Sequence, residues 1–312
     1  MASFLNKTKL TASTAGRPPA AIEIAPEGVL AAAHPAVRRG ASEPAQGNVY
    51  AFVSLPTGAI VPAIDEPNLR APEAVTAAIR SALDEISPRS RSVTVVLPDT
   101  LVRVFVLDFD SLPAKPAEAI PVVRFRLRKM VPFEVEHAGV SYQILSQTES
   151  EWKVLAAVVP GPILTEYEAA VRSAGYEPGA VLSSSLAALE AFESIEAVMA
   201  ANLSARSITT TIATGQELLL YRTLDLPQDS AHRVAEIQRS IAVASAYFED
   251  KLGSRPRILH YAGVQDPSEF AATIGDSDLT VVDWASRPGE GAMTALPQTN
   301  YAGVVGALAG AN

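Results

Sequence analysis

The segment from Pro98 to Leu145 constrains the fold more than any other part of the chain. It reads PDTLVRVFVLDFDSLPAKPAEAIPVVRFRLRKMVPFEVEHAGVSYQIL. Ser92 to Leu97 reads as a strand that turns at Pro98-Asp99. Leu101 to Leu107 runs back in alternation, so the two are expected to form a hairpin. A helix is predicted over 118–131, because Ile120, Val123, Leu127 and Met130 recur at helical spacing and make one apolar stripe. Pro121 is tolerated near its start, where the first N–H groups have no intrahelical partner. Arg124, Arg126, Arg128 and Lys129 make the opposite face basic, and Pro132-Phe133 stops the helix. Gly139 to Leu145, which holds Ser141-Tyr142-Gln143, and Lys153 to Val159 are strands around a polar turn at Gln147 to Glu151. The segment therefore reads as hairpin, helix, hairpin.

Either side of this unit the chain alternates between strands and helices. Ala20 to Ile24 and Val29 to Ala33 are strands joined by a turn at Pro26-Glu27-Gly28, Val49 to Val53 is a third, and Ile60-Val61 is a further short one. Pro72 opens a helix with Val75, Ile79, Leu83 and Ile86 inward. A helix including Glu166 to Ser173 stops at Gly175. Ala180 to Leu182 is a strand, and Ser184 to Ala197 a helix with Ser184 or Ser185 as its cap. Met199 to Leu203, Ser207 to Ala213 and Glu217 to Leu224 form a meander. Residues 231–252 are the longest helix, closed by Gly253. Arg257 to Tyr261 and Leu279 to Val282 are strands around a helix at Ser268 to Ile274, and Asn300 to Ala309 is a last helix of small residues. This order gives an α/β or a mixed α+β fold with two lobes.

Composition narrows the function. A length of 312 residues, 48% of them hydrophobic, allows one large or two ordinary domains. A net charge of -9 argues against a general nucleic-acid binder. There is no cysteine, so neither a disulfide nor a thiolate metal site exists. His34, His137, His232 and His260 are scattered, with no paired metal-ligand spacing. No apolar run approaches the roughly 18 residues of a spanning helix. Met1 to Pro19 is polar, lacks the apolar core of a signal peptide and is expected to be a disordered tail. The chain is expected to be cytoplasmic, held at the membrane only through a partner.

The Pro98–Leu145 segment resembles the PilM family, actin-like cytoplasmic proteins of type IV pilus assembly. In that family a hairpin, a helix of the pattern RWRLEKxxPF and a DYQ-like strand build a distinctive inserted subdomain. Arg124-Phe125-Arg126-Leu127-Arg128-Lys129 and Pro132-Phe133 carry the match. The resemblance implies a two-lobed actin-like ATPase fold with an inserted α+β subdomain. Its expected parts are a tail at 1–19, the first lobe at 20–71 and 160–197, the insert at 72–159, and the second lobe at 198–312.

The resemblance also locates a nucleotide cleft. In the superfamily two hairpin turns hold the phosphates: glycine admits backbone N–H groups and hydroxyls add donors, while an aspartate helps hold magnesium. Here the first slot has Glu23 for Asp and Ala25 for Gly, then Pro26, Glu27 and Gly28. The second has Asn202 for Asp and Ser204 for Gly, followed by Arg206. The glycine cluster near the adenosine is reduced to Gly263, with Tyr261 placed to fill the base site. Neither an ATP cofactor with magnesium nor an enzymatic activity is expected. The implied partner is the N-terminal cytoplasmic tail of a PilN-like inner-membrane protein, alongside other pilus assembly components. Arg124, Arg126 and Arg128 are its candidate contacts. Two alternatives stand. One is a type II secretion component like the GspL cytoplasmic domain. The other is an active kinase or ATPase of the superfamily, which needs an intact D-x-G-[ST] loop and a catalytic Asp.

Overall fold

Two five-stranded sheets and one three-stranded sheet organise the chain in this computed structural model, which describes residues 17–34, 47–148, 150–192, 196–215, 217–276, 278–285 and 300–311. The first lobe begins with an antiparallel meander: β1 (Ala20–Ala25), β2 (Gly28–Ala33) and β3 (Val49–Ser54). Two strands continue it in parallel, β4 (Ser92–Leu97) beside β1 and β8 (Glu177–Ser183) beside β4. The inner strands are near-continuous apolar runs because both faces of this sheet are covered. Ile22 and Ile24 point to α1 (Pro72–Ile86) and α3 (Gly161–Ser173), where Val75, Ile79, Leu83 and Tyr167 complete a core. Ala21, Leu30 and Val96 point the other way, to α4 (Ser184–Leu189) and α7 (Ala302–Ala309).

The second lobe repeats the plan. β9 (Val198–Leu203), β10 (Ser207–Thr214) and β11 (Glu217–Asp225) form the meander, and β12 (Ile258–Gly263) and β13 (Thr280–Asp283) add in parallel. α5 (Ser230–Leu252) and α6 (Pro267–Ile274) cover one face. Asp229 caps α5 by accepting from the His232 N–H at 3.0 Å, and Gly253 ends it with a φ of 70°.

The inserted unit is β5 (Arg103–Phe109), α2 (Pro116–Leu127), β6 (Gly139–Gln147) and β7 (Trp152–Val159), with sheet order β5-β7-β6. Ala119, Val123 and Leu127 of α2 pack on Leu107, Val154, Ala156 and Val158.

Several expectations are corrected. Ser92–Leu97 and Leu101–Leu107 do not form a hairpin. β4 is apolar on both faces and fits the interior of the first sheet, and a 3-10 turn at Asp99–Leu101 sends β5 into a separate sheet beside β7. The insert is therefore about 103–159, not 72–159, and α1 belongs to the first lobe. α7 likewise packs on the first lobe rather than the second. α2 starts at Pro116 and ends at Leu127, so the helical period no longer carries Met130, which is 42% exposed, and Ala119 turns inward instead of Ile120. α4 stops at Leu189 rather than Ala197, and Ile60 makes a single bridge to Leu69. The expected tail falls outside the described residues at 1–16, but Arg17 to Pro19 are built into the fold. Arg17 pairs with Glu190 at 3.5 Å, and the Pro19 carbonyl accepts from the His34 N–H.

Leu127 is fully buried and Arg126 is exposed. Leu127→Ala is expected to cost about 2–5 kcal/mol, and Arg126→Ala less than about 0.5 kcal/mol. Denaturant melts of the two variants check the phase of α2; the reverse order would place the wrong face inward.

Candidate functional site

The β1–β2 turn and the β9–β10 turn face each other across the two lobes. Between them lies a cavity of about 60 Å³. Six of the seven expected cofactor positions line it: Glu23, Ala25, Gly28, Asn202, Ser204 and Arg206. Gly263 does not; the neighbouring Val264 does.

Asp99 forms the floor. It follows β4 and is 6% exposed. Its carboxylate accepts from the Ser185 N–H at 2.8 Å, the Ser185 hydroxyl at 2.5 Å, Asn202 Nδ2 at 3.2 Å and the Tyr221 hydroxyl at 3.0 Å. Tyr221 also meets the Ser183 hydroxyl at 3.1 Å, and Asn300 Nδ2 donates to Asn202 Oδ1 at 2.6 Å. One carboxylate thus joins the end of β4, the start of α4, β9 and β11, and through Asn202 the segment leading into α7. It also caps α4, in place of the expected Ser184 or Ser185; Ser183 at the N-cap makes no capping bond of its own. Burial raises the Asp99 pKa, opposed by hydrogen bonds from Ser185, Thr209 and Tyr221.

The two turns expected from the resemblance to be phosphate slots are filled by the chain itself. Glu23 is 7% exposed, and its Oε2 has no hydrogen-bond partner. Burial pushes its pKa up to about 8; a Ser184 hydrogen bond opposes this, and the Asp99 and Glu27 charges add to it. Gly28 serves internal packing: a Cβ there would lie 2.5 Å from the Phe52 ring and the Val53 carbonyl. In the second slot Ser204 turns its hydroxyl onto Ser207, at 2.9 Å to the hydroxyl and 3.0 Å to the N–H. Arg233 of α5 donates to the Ala205 and Ser204 carbonyls at 2.6 and 2.9 Å. Arg206 is exposed at the rim. Tyr261 is 2% exposed, stacks on Phe270 at 4.1 Å, and places its hydroxyl where a Cβ on Gly263 would fall.

Small-molecule sites span roughly 300–1,000 Å³, whereas a water needs about 10–15 Å³. The cleft therefore has room for a few waters. Two buried carboxylates and a proline without an N–H do not fit the phosphates of a nucleotide.

A second depression, about 250 Å³, lies between the insert and the first lobe. Gly139 to Gln143 of β6 form one wall, Val181 to Ser183 of β8 the other, and Leu155, Ala157 and Leu164 make the floor apolar. β6 and β8 are each the last strand of their sheet. None of Arg124, Arg126 and Arg128 lines this groove: α2 covers a face of the inserted sheet, whereas the groove follows its terminal strand. Arg124 donates to the carbonyls of Val135, Glu136 and Ala138 and so holds the loop after α2. Arg128 pairs with Glu136. Arg126 points to solvent.

Asp99, Tyr221, Arg233 and Asn300 were not singled out by sequence reasoning. Only Asp99 carried a usable signal, an acid at the carboxyl end of a buried parallel strand, where α/β folds place their sites.

Sequence comparison finds no matching family model and no matching curated relative. Structural comparison finds a chain of the PilM-PilN type IV pilus biogenesis complex with a TM-score of 0.72 and 17% identity, covering 95% of this chain and 99% of that one. The cytoplasmic domain of EpsL, an inner-membrane component of the type II secretion system of Vibrio cholerae, matches with a TM-score of 0.50 and 12% identity, over 93% and 92% of the two chains. The chain has the two-lobed actin-like ATPase fold with an inserted subdomain, and its resemblance to PilM, read from Pro98 to Leu145, extends in three dimensions over nearly its whole length.

Glu23 gives the cleft a pH signature. An unfolded Glu titrates near 4.5 and the folded one near 8, so between these values the folded state holds the extra proton. Stability is then expected to fall as pH rises through that window, by about 1.4 kcal/mol per pH unit at its steepest. Glu23→Gln should flatten the profile and be the more stable protein at pH 8. Urea melts across the window check this; parallel profiles for the two proteins would contradict it.

Proposed function

We propose that the chain is a PilM-like scaffold whose groove between β6 and β8 binds a short cytoplasmic segment of an inner-membrane protein. The observation that carries this reading is the groove itself: an apolar trough walled by the terminal strands of two sheets. An extended peptide can place side chains in such a trough while its backbone pairs with a strand edge. The PilM-like fold favours a PilN-like tail as the occupant. Among the described residues no helix is long and apolar enough to cross a membrane, which is compatible with a cytoplasmic protein held at the membrane by that tail. The likeness to EpsL supports a second reading, a type II secretion component using the same groove for a different tail.

We further propose that the chain neither binds ATP tightly nor hydrolyses it. The 60 Å³ cavity, the buried Glu23 carboxylate and Tyr261 packed beside Gly263 support this.

Two experiments test these readings. In calorimetry, a PilN-like tail is expected to bind the protein, and a secretion-type tail should not. Ser141→Arg, on the groove face of β6, should weaken binding about tenfold or more by filling the trough, while Arg126→Glu, outside the groove, should leave it unchanged. Equal binding by Ser141→Arg would move the site elsewhere. Millimolar Mg-ATP is expected to leave the melting temperature unchanged. A ligand at a hundredfold excess over its Kd would add about 2.7 kcal/mol, so a rise of several degrees would overturn the closed-cleft reading.

A further inference from the structure

The outward face of α2 is unlike the rest of the surface. Phe125 is 73% exposed, the highest value among the large apolar side chains of the described residues. Val122, one turn earlier on the same face, is 38% exposed, and Met130, just past the helix end, 42%. Residues 115–130 hold five cations and one acid in a chain whose net charge is -9. Three of the cations are engaged: Lys115 pairs with Glu118 at 3.5 Å, Arg124 is turned onto loop carbonyls, and Arg128 shares Glu136. Arg126 and Lys129 remain beside Phe125 with no acidic partner among the described residues.

An apolar ring projecting between unpaired cations calls for an apolar phase beneath an anionic surface. A protein partner fits less well. A stable protein interface buries roughly 800 Å² on each side around a well-packed centre. Here the apolar part is one projecting ring with two lesser neighbours on a convex helix. The depression beyond the helix end is open, and Glu134 and Glu136 line it. A second copy docking face to face would set cations against cations. A leaflet rich in anionic lipid satisfies both halves of the face: aromatic side chains sink into the headgroup boundary and cations stay among the phosphates.

We propose that the outward face of α2, through Phe125, Arg126 and Lys129, docks weakly on an anionic lipid bilayer. Each cation near such a surface strengthens binding roughly fivefold, so two give about thirtyfold, and the attraction is screened within about 8–10 Å at physiological salt. The proposal does not rest on the groove reading.

The test is flotation of the full chain with vesicles of phosphatidylcholine alone or of an equimolar mixture with phosphatidylglycerol, at low and at physiological salt. Binding is expected only to the mixed vesicles and should weaken with salt. Phe125→Glu should reduce it about tenfold or more, and Arg126→Glu with Lys129→Glu by a similar factor, with the melting temperature of each variant unchanged. No binding to mixed vesicles at low salt, equal binding to both compositions, or full binding by Phe125→Glu would overturn the proposal. Salt-sensitive self-association without vesicles, lost in Phe125→Glu, would also overturn it and assign the face to a second copy. The vesicles carry no peptide, so failure here leaves the calorimetry of the groove to stand or fall separately.

Discussion

A buried carboxylate must be satisfied where it lies, and Asp99 is satisfied by both lobes at once. An unpaired charge in that position would cost several kcal/mol. Donors from α4, β9 and β11 converge on it instead, with no cation among the partners identified for it. The lobes are therefore tied by the chain's own hydrogen bonds at the floor of the cleft between the β1–β2 and β9–β10 turns. Asn300 extends the tie to α7, which crosses back to cover the first sheet. The apolar contact above it is equally shared: Trp284 from the second lobe donates to the Ala188 carbonyl at 3.1 Å and stacks on Phe192.

The same network reaches the groove. Ser183 lines the groove and also meets Tyr221, which bonds Asp99. The end of β8 is thus fixed from the cleft side, and β8 forms one wall of the trough. A binding wall held in place in advance loses less conformational entropy on docking. In the proposed reading this is how the cleft contributes without a nucleotide: it stiffens the groove.

Much of this was legible in the residues. The stripe of α1, the cap at Gly253 and both meanders follow from local chemistry. What was missed is non-local. β4 and β5 look like a hairpin because each alternates or is apolar and a turn lies between them. Only the sheet each joins tells them apart, and that depends on β1 and β8, far off in sequence. Met130 kept the helical period, but the helix stops before reaching it. Asp99 reads as a turn residue because its partners lie 86 to 122 positions away. Arg124 and Arg128 read as a free basic face because the loop that takes them up, 135–138, has no pattern of its own.

The central claim is that the chain acts by holding a peptide in the groove while the cleft stays shut. Hydrogen–deuterium exchange of the protein with a saturating PilN-like tail peptide tests it most directly. The account predicts new protection along β6 at 139–147 and β8 at 177–183, with exchange at 23–28 and 202–207 unchanged. Protection that appears at those cleft turns instead, with none along β6 and β8, would contradict it.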